Sequence, residues 1–85
     1  MLNVKVLKIE GRPNQFIIRA SDGVYFQSYN SIICFIDKSG QVFLDRDKWD
    51  YSSTTGKYRN IFLGESKAET LKKIKSGKYI LTDLN

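Results

Sequence analysis

The sequence predicts an α+β fold, in which an antiparallel β-meander of about five strands is followed by two short helices packed on one face and a C-terminal closing strand. Between residues 2 and 44, short β-forming segments alternate with turn signals, namely GRPN, SDG and DKSG. Consecutive strands with such short connections pair antiparallel. Helical signals occur only between residues 49 and 77, and one face of the sheet offers the apolar surface that these helices need. At 85 residues, the chain is predicted to be a single domain, 1–85.

The strands are predicted at residues 2–9, 16–20, 24–29, 32–36, 41–44 and 78–84. In the first strand the apolar side chains change parity between Val6 and Leu7, which indicates a bulge or a strand that is apolar on both faces. The fourth, IICFI, is apolar throughout and is therefore predicted to be central. A kink is expected at residues 29–31. The residues predicted to lie in or near the core are Ile32, Cys34, Ile36, Val42, Leu44, Phe62, Leu71 and Ile74.

Two helices are predicted, at about 54–63 and 67–76. Any of the four hydroxyl residues at 52–55 can accept from the free backbone N–H groups of a helix start, and Gly64 is placed to end the first helix in a left-handed conformation. Ser66 and Glu69 match the capping box of the second helix. The predicted apolar faces are Tyr58, Ile61 and Phe62 in the first helix and Ala68, Leu71 and Ile74 in the second.

Several chemistries are excluded by composition. The chain has no histidine and a single cysteine, Cys34, which lies among apolar residues and is predicted to be buried. A structural zinc site and a nucleophile paired with histidine are therefore excluded. The three aspartates in DRDKWD lack the glycine and closing glutamate of a calcium loop. We expect no enzymatic activity, no metal and no cofactor.

The sequence gives no sign of a membrane or secretory segment. No apolar run approaches the roughly 18–20 residues of a membrane span, and the N-terminus lacks the apolar core of a signal peptide. We therefore expect no membrane association and a cytoplasmic location.

The charge is unevenly distributed along the chain. Its entire net charge of +5 falls between residues 57 and 78. A basic face of this kind can neutralise phosphates and release counterions. The competing interpretation is a solvated helix face whose C-terminal lysines are favoured by the helix dipole. The candidate residues for binding nucleic acid or a partner are Lys57, Arg59, Lys67, Lys72, Lys73, Lys75 and Lys78.

Three aromatic residues are further candidate contacts: Tyr25, Tyr29 and Trp49. If Tyr25 and Tyr29 shared a sheet face with Arg19, they would form a stacking platform for single-stranded nucleic acid. Aromatic residues that alternate along a strand are more often cross-strand packing pairs.

The two predicted helices also invite comparison with a helix-turn-helix motif. In that motif small or apolar residues are expected where Asn60 and Glu65 stand, and Thr70 and Lys73 would be buried. The match is poor, so an ordinary helical hairpin packed on the sheet is favoured.

The second two-thirds of the chain resembles a known group of proteins. The similarity lies in FQSYNSIICFID, in WDYSSTTGKYRNIFLGE and in a Lys-rich helix that ends in Gly-x-Tyr. Its features in the second segment and after the helix are Trp49, Asp50, Tyr51, Ser52, Thr54, Thr55, Lys57, Tyr58, Asn60, Phe62, Leu63, Gly64, Gly77 and Tyr79. The group consists of small proteins encoded by phages and mobile elements of low-GC Gram-positive bacteria. The resemblance implies a phage context, and thus an infected or lysogenic bacterial host, but no particular activity.

Two functional hypotheses follow. The first is a small phage accessory protein that contacts nucleic-acid phosphates through the basic helix 67–78. The second is a protein–protein interaction module or inhibitor that acts on a host or bacterial-immunity protein through exposed aromatic residues and lysines. Because the chain is basic, mimicry of DNA by an acidic surface is disfavoured.

Overall fold

The computed structural model describes residues 4–85, which form one six-stranded sheet with two helices. The strands are β1 Lys5–Lys8, β2 Gln15–Ala20, β3 Gly23–Ser28, β4 Ser31–Asp37, β5 Val42–Asp45 and β6 Tyr79–Thr82. The helices are α1 Ser53–Leu63 and α2 Lys67–Lys75, and a single 3-10 turn covers Ile9–Gly11. The α+β class is confirmed. Among the described residues, no helix is long and apolar enough to cross a membrane.

The order of the strands in the sheet is their order in the chain. β1 to β5 pair antiparallel with their neighbours, as the short connections predict. β6 lies beside β5 and is parallel to it. α1 and α2 return the chain to the end of the sheet at which β5 begins, so the two strands run in the same direction. The predicted closing strand is therefore present, as the one parallel member of the described sheet.

The expected bulge lies in a different strand. β1 pairs with β2 without interruption, and the change of parity arises because the chain leaves the strand after Lys8 and buries Ile9 in the 3-10 turn. The predicted start of this strand, at residues 2 and 3, lies outside the described residues. The register shift falls instead between β3 and β4, where Phe26 pairs with Cys34 but Gln27 pairs with Ile32. Ile33 is the extra residue.

This bulge changes the predicted core. Ile33 and Cys34 are both fully buried, whereas Ile32 is only half-buried and lies across from Gln27 on the opposite face. Ile32, which was predicted in or near the core, therefore lies on the face away from Cys34, because the extra residue inverts the alternation. The other predicted strand residues, Cys34, Ile36, Val42 and Leu44, lie in or against the core, which also includes Ile9, Phe26, Tyr58 and Tyr79.

Tyr29 and Asn30 form the turn between β3 and β4, where a kink was expected. Tyr29 has a positive φ of 55°, which is uncommon for a residue with a large side chain. At the preceding hairpin Gly23 is required, because a Cβ atom there would lie 2.2 Å from the carbonyl oxygen of Ile36.

The ends of the helices are set by their capping residues. The hydroxyl of Ser52 accepts from the N–H of Thr55 at 3.1 Å, and Gly64 ends α1 in the left-handed conformation. Both hydrogen bonds of the capping box between Ser66 and Glu69 are present at the start of α2. These predicted helix boundaries are confirmed because capping is a local property of the sequence.

The two helices pack on one face of the sheet. The ring of Phe62 stacks on that of Phe26 with 5.6 Å between centroids, and Tyr58 is buried beside it. Ile61, predicted to share this face, is exposed.

The buried side of α2 also differs from the prediction. Ala68 is exposed and Leu71 is only half-buried, whereas Thr70 is fully buried and Ile74 packs on the core. The buried face of α2 is rotated relative to the predicted apolar face, because the hydroxyl of Thr70 points inward and donates to the carboxylate of Glu65 at 2.6 Å.

Candidate nucleic-acid interface

Most described carboxylates accept hydrogen bonds from other groups of the chain. Asp37 accepts from the N–H groups of Ser39 and Gln41 in the turn after β4. Asp45 accepts from the N–H groups of three residues, Asp47, Lys48 and Leu84. Burial by itself would raise the pKa of Asp45, but these hydrogen bonds to the charged form hold it below its ordinary value. Glu69 is used in the capping box, where its pKa is lowered by hydrogen bonds from the backbone and hydroxyl of Ser66.

The cations are distributed differently. In the part of the chain that the structure describes, three of the fourteen Lys and Arg side chains form ion pairs, namely Arg59, Lys67 and Lys73. The other eleven form none with described carboxylates. Of the described cations only Arg59 is buried, so the other Lys and Arg side chains lie at least partly at the surface, where they can attract an anion.

The basic segment, defined here as Lys67, Lys72, Lys75 and Lys78, is exposed. Lys72 and Lys75 are three residues apart on α2 and therefore project from the same side of the helix. Lys78 follows immediately before β6. Lys67 begins α2 and pairs with the carboxylate of Asp50 at 2.6 Å, yet more than half of its side chain remains accessible. Lys57 is exposed on α1.

Lys73 belongs to an internal cluster centred on Glu65, in the link between the helices. The Glu65 carboxylate accepts from Lys73 at 2.5 Å, from Thr70 at 2.6 Å and from Tyr79 at 2.7 Å. The ammonium also lies 5.3 Å from the centre of the Tyr79 ring. Lys73 therefore has a buried structural partner, whereas Lys72, Lys75 and Lys78 form no ion pair with a described carboxylate.

Arg59 is buried rather than exposed. Its side chain is 1% accessible, and its guanidinium donates to the carbonyl of Trp49 at 2.7 Å and to Asp50 and Asn60 at 3.0 Å each. The guanidinium also lies 5.1 Å from the centre of the Trp49 ring. Trp49 itself is half-buried against the core. Both residues, proposed from the sequence as surface contacts, are thus occupied in holding the start of α1 to the rest of the fold.

Tyr25 and Tyr29 do not form a common platform. Tyr25 lies on the face of the sheet opposite the helices, where its hydroxyl donates to Asp22, whereas Tyr29 is in the turn after β3. Arg19 lies across from Val24, on the face that bears Phe26. In addition, Tyr25 stacks on Phe35 with 4.4 Å between ring centroids. Cross-strand packing is therefore the observed arrangement.

That opposite face carries a continuous apolar row, which sequence reasoning did not find. Directly paired residues run across all six strands: Val6, Ile18, Tyr25, Phe35, Phe43 and Ile80. Phe35 has Tyr25 on one side and Phe43, at 5.9 Å, on the other, so its ring faces are covered by neighbours. The ends of the row are open, with Val6 54% and Ile80 41% accessible.

Metal binding and thiol chemistry can be assessed from the described residues. In residues 4–85, no group of three or more His, Cys, Asp and Glu side chains is arranged to hold a metal ion. Cys34 is fully buried, and this burial raises the pKa of its thiol far above its ordinary value. A neutral buried thiol is a poor nucleophile.

Comparison with known proteins identifies a family without an assigned activity. A model described as a family of unknown function, DUF8033, matches residues 5–78. No curated protein and no solved structure matches the sequence. Since the matched region contains β1 to α2, the chain belongs to the DUF8033 family.

Proposed function

We propose that this chain is a small non-enzymatic accessory protein, of the phage type that the resemblance implies, which binds nucleic-acid phosphates through its basic segment. The observation that carries the proposal is the exposure of these lysines. All four extend from α2 or from the residue before β6 into solvent, and Lys72, Lys75 and Lys78 form no ion pair with a described carboxylate. Lysines act as point charges and discriminate poorly between the edges of different bases. The protein is therefore expected to bind nucleic acid with little preference for sequence.

The salt dependence of binding tests this function. If the basic segment and Lys57 together contact four or five phosphates of a duplex, log K should fall against log salt with a slope of roughly −4. Fluorescence anisotropy with a labelled duplex, starting at about 50 mM salt, measures the slope. No binding to duplex DNA, single-stranded DNA or RNA at the lowest salt would refute the proposal.

A matched pair of triple variants locates the interface. Reversal of Lys72, Lys75 and Lys78 to Glu should abolish binding without unfolding the protein, because these side chains are exposed. The control reverses three other exposed lysines, Lys5, Lys8 and Lys38, and thus makes the same change in net charge. If both triple variants lose binding equally, net charge rather than the basic segment is responsible.

The apolar row favours a second candidate function, a protein–protein interaction module. Apolar side chains run across all six strands on the face without helices, and contiguous exposed apolar patches mark contact sites. The Phe35 ring is covered on both sides, so it suits packing against another apolar surface better than intercalation between bases.

A double substitution separates this candidate from the first. Val6→Thr with Ile80→Thr keeps β-branched residues in both edge strands but interrupts the row at its two open ends. We expect the variant to lose binding of a partner that is retained after nuclease treatment, or to lose self-association measured by sedimentation. The control is Ile61→Thr, which changes an exposed apolar residue on α1 and should lose neither. An unchanged partner and oligomeric state in the double variant would exclude the row as the contact site.

A further inference from the structure

A cleft of about 350 Å³ lies between the start of β2, the turn after β3 and the first half of α1. Its size is near the lower end of the range for small-molecule sites, roughly 300–1,000 Å³. The side chains that give it its chemistry are Arg12, Gln15, Tyr29, Thr54, Lys57 and Tyr58. Neither functional proposal above uses the cleft itself.

Gln15 is the first sign that the cleft holds a ligand. The residue is 2% accessible, and its Oε1 atom is buried without a hydrogen-bond partner in the described residues. Buried polar groups in folded proteins nearly always have a partner, so an exception at the wall of a cavity calls for an explanation. A ligand N–H or O–H group would supply one once the side-chain amide of Gln15 turns Oε1 toward the cleft.

The charge of the cleft identifies a second property of the ligand. Arg12 and Lys57 line it from opposite elements, neither forms an ion pair with a described carboxylate, and no Asp or Glu is among the described lining residues. Thr54 is in the first turn of α1, where the helix dipole favours an anion, and the N–H of the next residue is already capped by Ser52. The cleft is therefore suited to a negatively charged group such as a phosphate.

Tyr29 adds an aromatic surface in a fixed position. Its N–H donates to the carbonyl of Asn14 at 2.7 Å, and its own carbonyl accepts from the side chain of Gln27 at 2.7 Å. These two contacts hold it at its positive φ, while the residue as a whole remains 45% accessible beside the cleft. A strained backbone held by its surroundings is typical of binding sites, and an open tyrosine ring can stack on a planar group.

From this combination we propose that the cleft binds a nucleoside monophosphate unit, either as a free nucleotide or as one residue of a single strand. The phosphate lies against Arg12, Lys57 and the start of α1. The base stacks on Tyr29 and donates an N–H from its edge to Oε1 of Gln15. The inference deepens the proposed function by adding a base-contacting site beside a surface that contacts phosphates.

The test is an NMR titration of the full ¹⁵N-labelled chain with uridine monophosphate, uridine and inorganic phosphate in separate arms. Uridine monophosphate should cause saturable shifts in the amides of residues 12, 14, 15, 29 and 54–58. Uridine and phosphate alone should each bind at least about tenfold more weakly, because each lacks one set of contacts. Equal affinity for phosphate alone, or no saturable shift at these residues with the nucleotide, would overturn the proposal.

Two variants of the cleft and one control sharpen the result. Tyr29→Gly removes the ring and suits the positive φ, so the fold is retained while nucleotide affinity falls by about five- to a hundredfold. Arg12→Gln should weaken binding at least about tenfold. Lys38→Gln, an equal loss of charge in the turn after β4, should bind as the unchanged protein does. Cleft variants that bind as tightly as this control would also overturn the proposal.

Two further arms separate the cleft from the basic segment and the free nucleotide from the strand. The variant with Lys72, Lys75 and Lys78 changed to Glu should still bind uridine monophosphate. Binding in the cleft can therefore be measured even if the basic segment does not bind nucleic acid. Pentauridylate that shifts the same amides at lower concentration identifies a strand as the ligand. Pentauridylate that shifts them no more readily than the mononucleotide identifies the free nucleotide, and both results support the cleft.

Discussion

Replacing Arg59 by Ala is expected to lower the free energy of unfolding by about 2–5 kcal/mol, because the change leaves a cavity and removes the donor of three acceptors. The guanidinium is 1% accessible and joins three acceptors, the carbonyl of Trp49 and the side chains of Asp50 and Asn60. Asp50 would keep its contact with Lys67, which is at the surface. A domain of this size has a total stability of only about 4–13 kcal/mol, so the variant would be close to unfolding.

Urea denaturation measures the loss in the free energy of unfolding, and two further variants serve as controls. Lys57→Ala removes an exposed cation on the same helix and should change stability by no more than about 0.5 kcal/mol. Arg59→Lys keeps the charge, but a single ammonium does not match the planar fork that reaches three acceptors, so at least about 1.5 kcal/mol should still be lost. An Arg59→Lys variant as stable as the unchanged protein would contradict the structural role of the fork.

Replacing Glu65 by Gln is expected to cost about 1.5–3 kcal/mol at neutral pH, because an amide of the same shape cannot accept from three converging donors as a carboxylate does. The Glu65 side chain is 4% accessible and receives hydrogen bonds from Lys73, Thr70 and Tyr79. These contacts join the link between the helices to α2 and β6. Equilibrium unfolding at pH 7 gives the size of the effect.

The pH dependence isolates the contribution of the Glu65 charge. Burial by itself would raise the pKa of Glu65, but hydrogen bonds from Lys73, Thr70 and Tyr79 hold it below its ordinary value. A carboxyl whose pKa is lowered by folding stabilises the protein above its unfolded pKa, about 4.3, and loses that contribution as the pH falls through the folded pKa. The stability difference between the unchanged protein and Glu65→Gln should therefore shrink below about pH 4.3.

Tyr79→Phe is the matched control for this experiment. It removes one donor but keeps the carboxyl group, so most of the pH-dependent difference from Glu65→Gln should persist. A difference between the unchanged protein and Glu65→Gln that stays constant from neutral to acidic pH would contradict a stabilising charge at this position.

Local features were predictable because they depend on the conformational preferences of a few neighbouring residues. Ser52, Gly64 and the pair Ser66 and Glu69 mark the ends of the helices, and the observed caps follow them. The short turns likewise determined the antiparallel order of the first five strands. The positions of the lysines in the basic segment were also evident, since exposed charge close to a helix C-terminus follows from composition and spacing alone.

The tertiary structure decided which side chains meet across the sheet and which are buried. The sequence marks Arg59 as a cation, but only the approach of Trp49, Asp50 and Asn60 makes it a buried structural residue. The bulge at Ile33 was hidden because residues 32–36 of that strand are all apolar, so the pattern contains no break that would reveal a change of face.

The candidate sites depend on the register of the strands and on the packing of the helices. The apolar row exists because Val6 and Ile80, at opposite edges, are aligned through four intervening strands. The cleft exists because α1 brings Lys57 to the turn that holds Tyr29 and to the buried Gln15. The sequence by itself therefore determined the elements, their caps and the sign of the charge. Pairings between distant residues follow from the summed packing of the whole chain rather than from any local pattern, so only the tertiary structure could decide where the surfaces for binding lie.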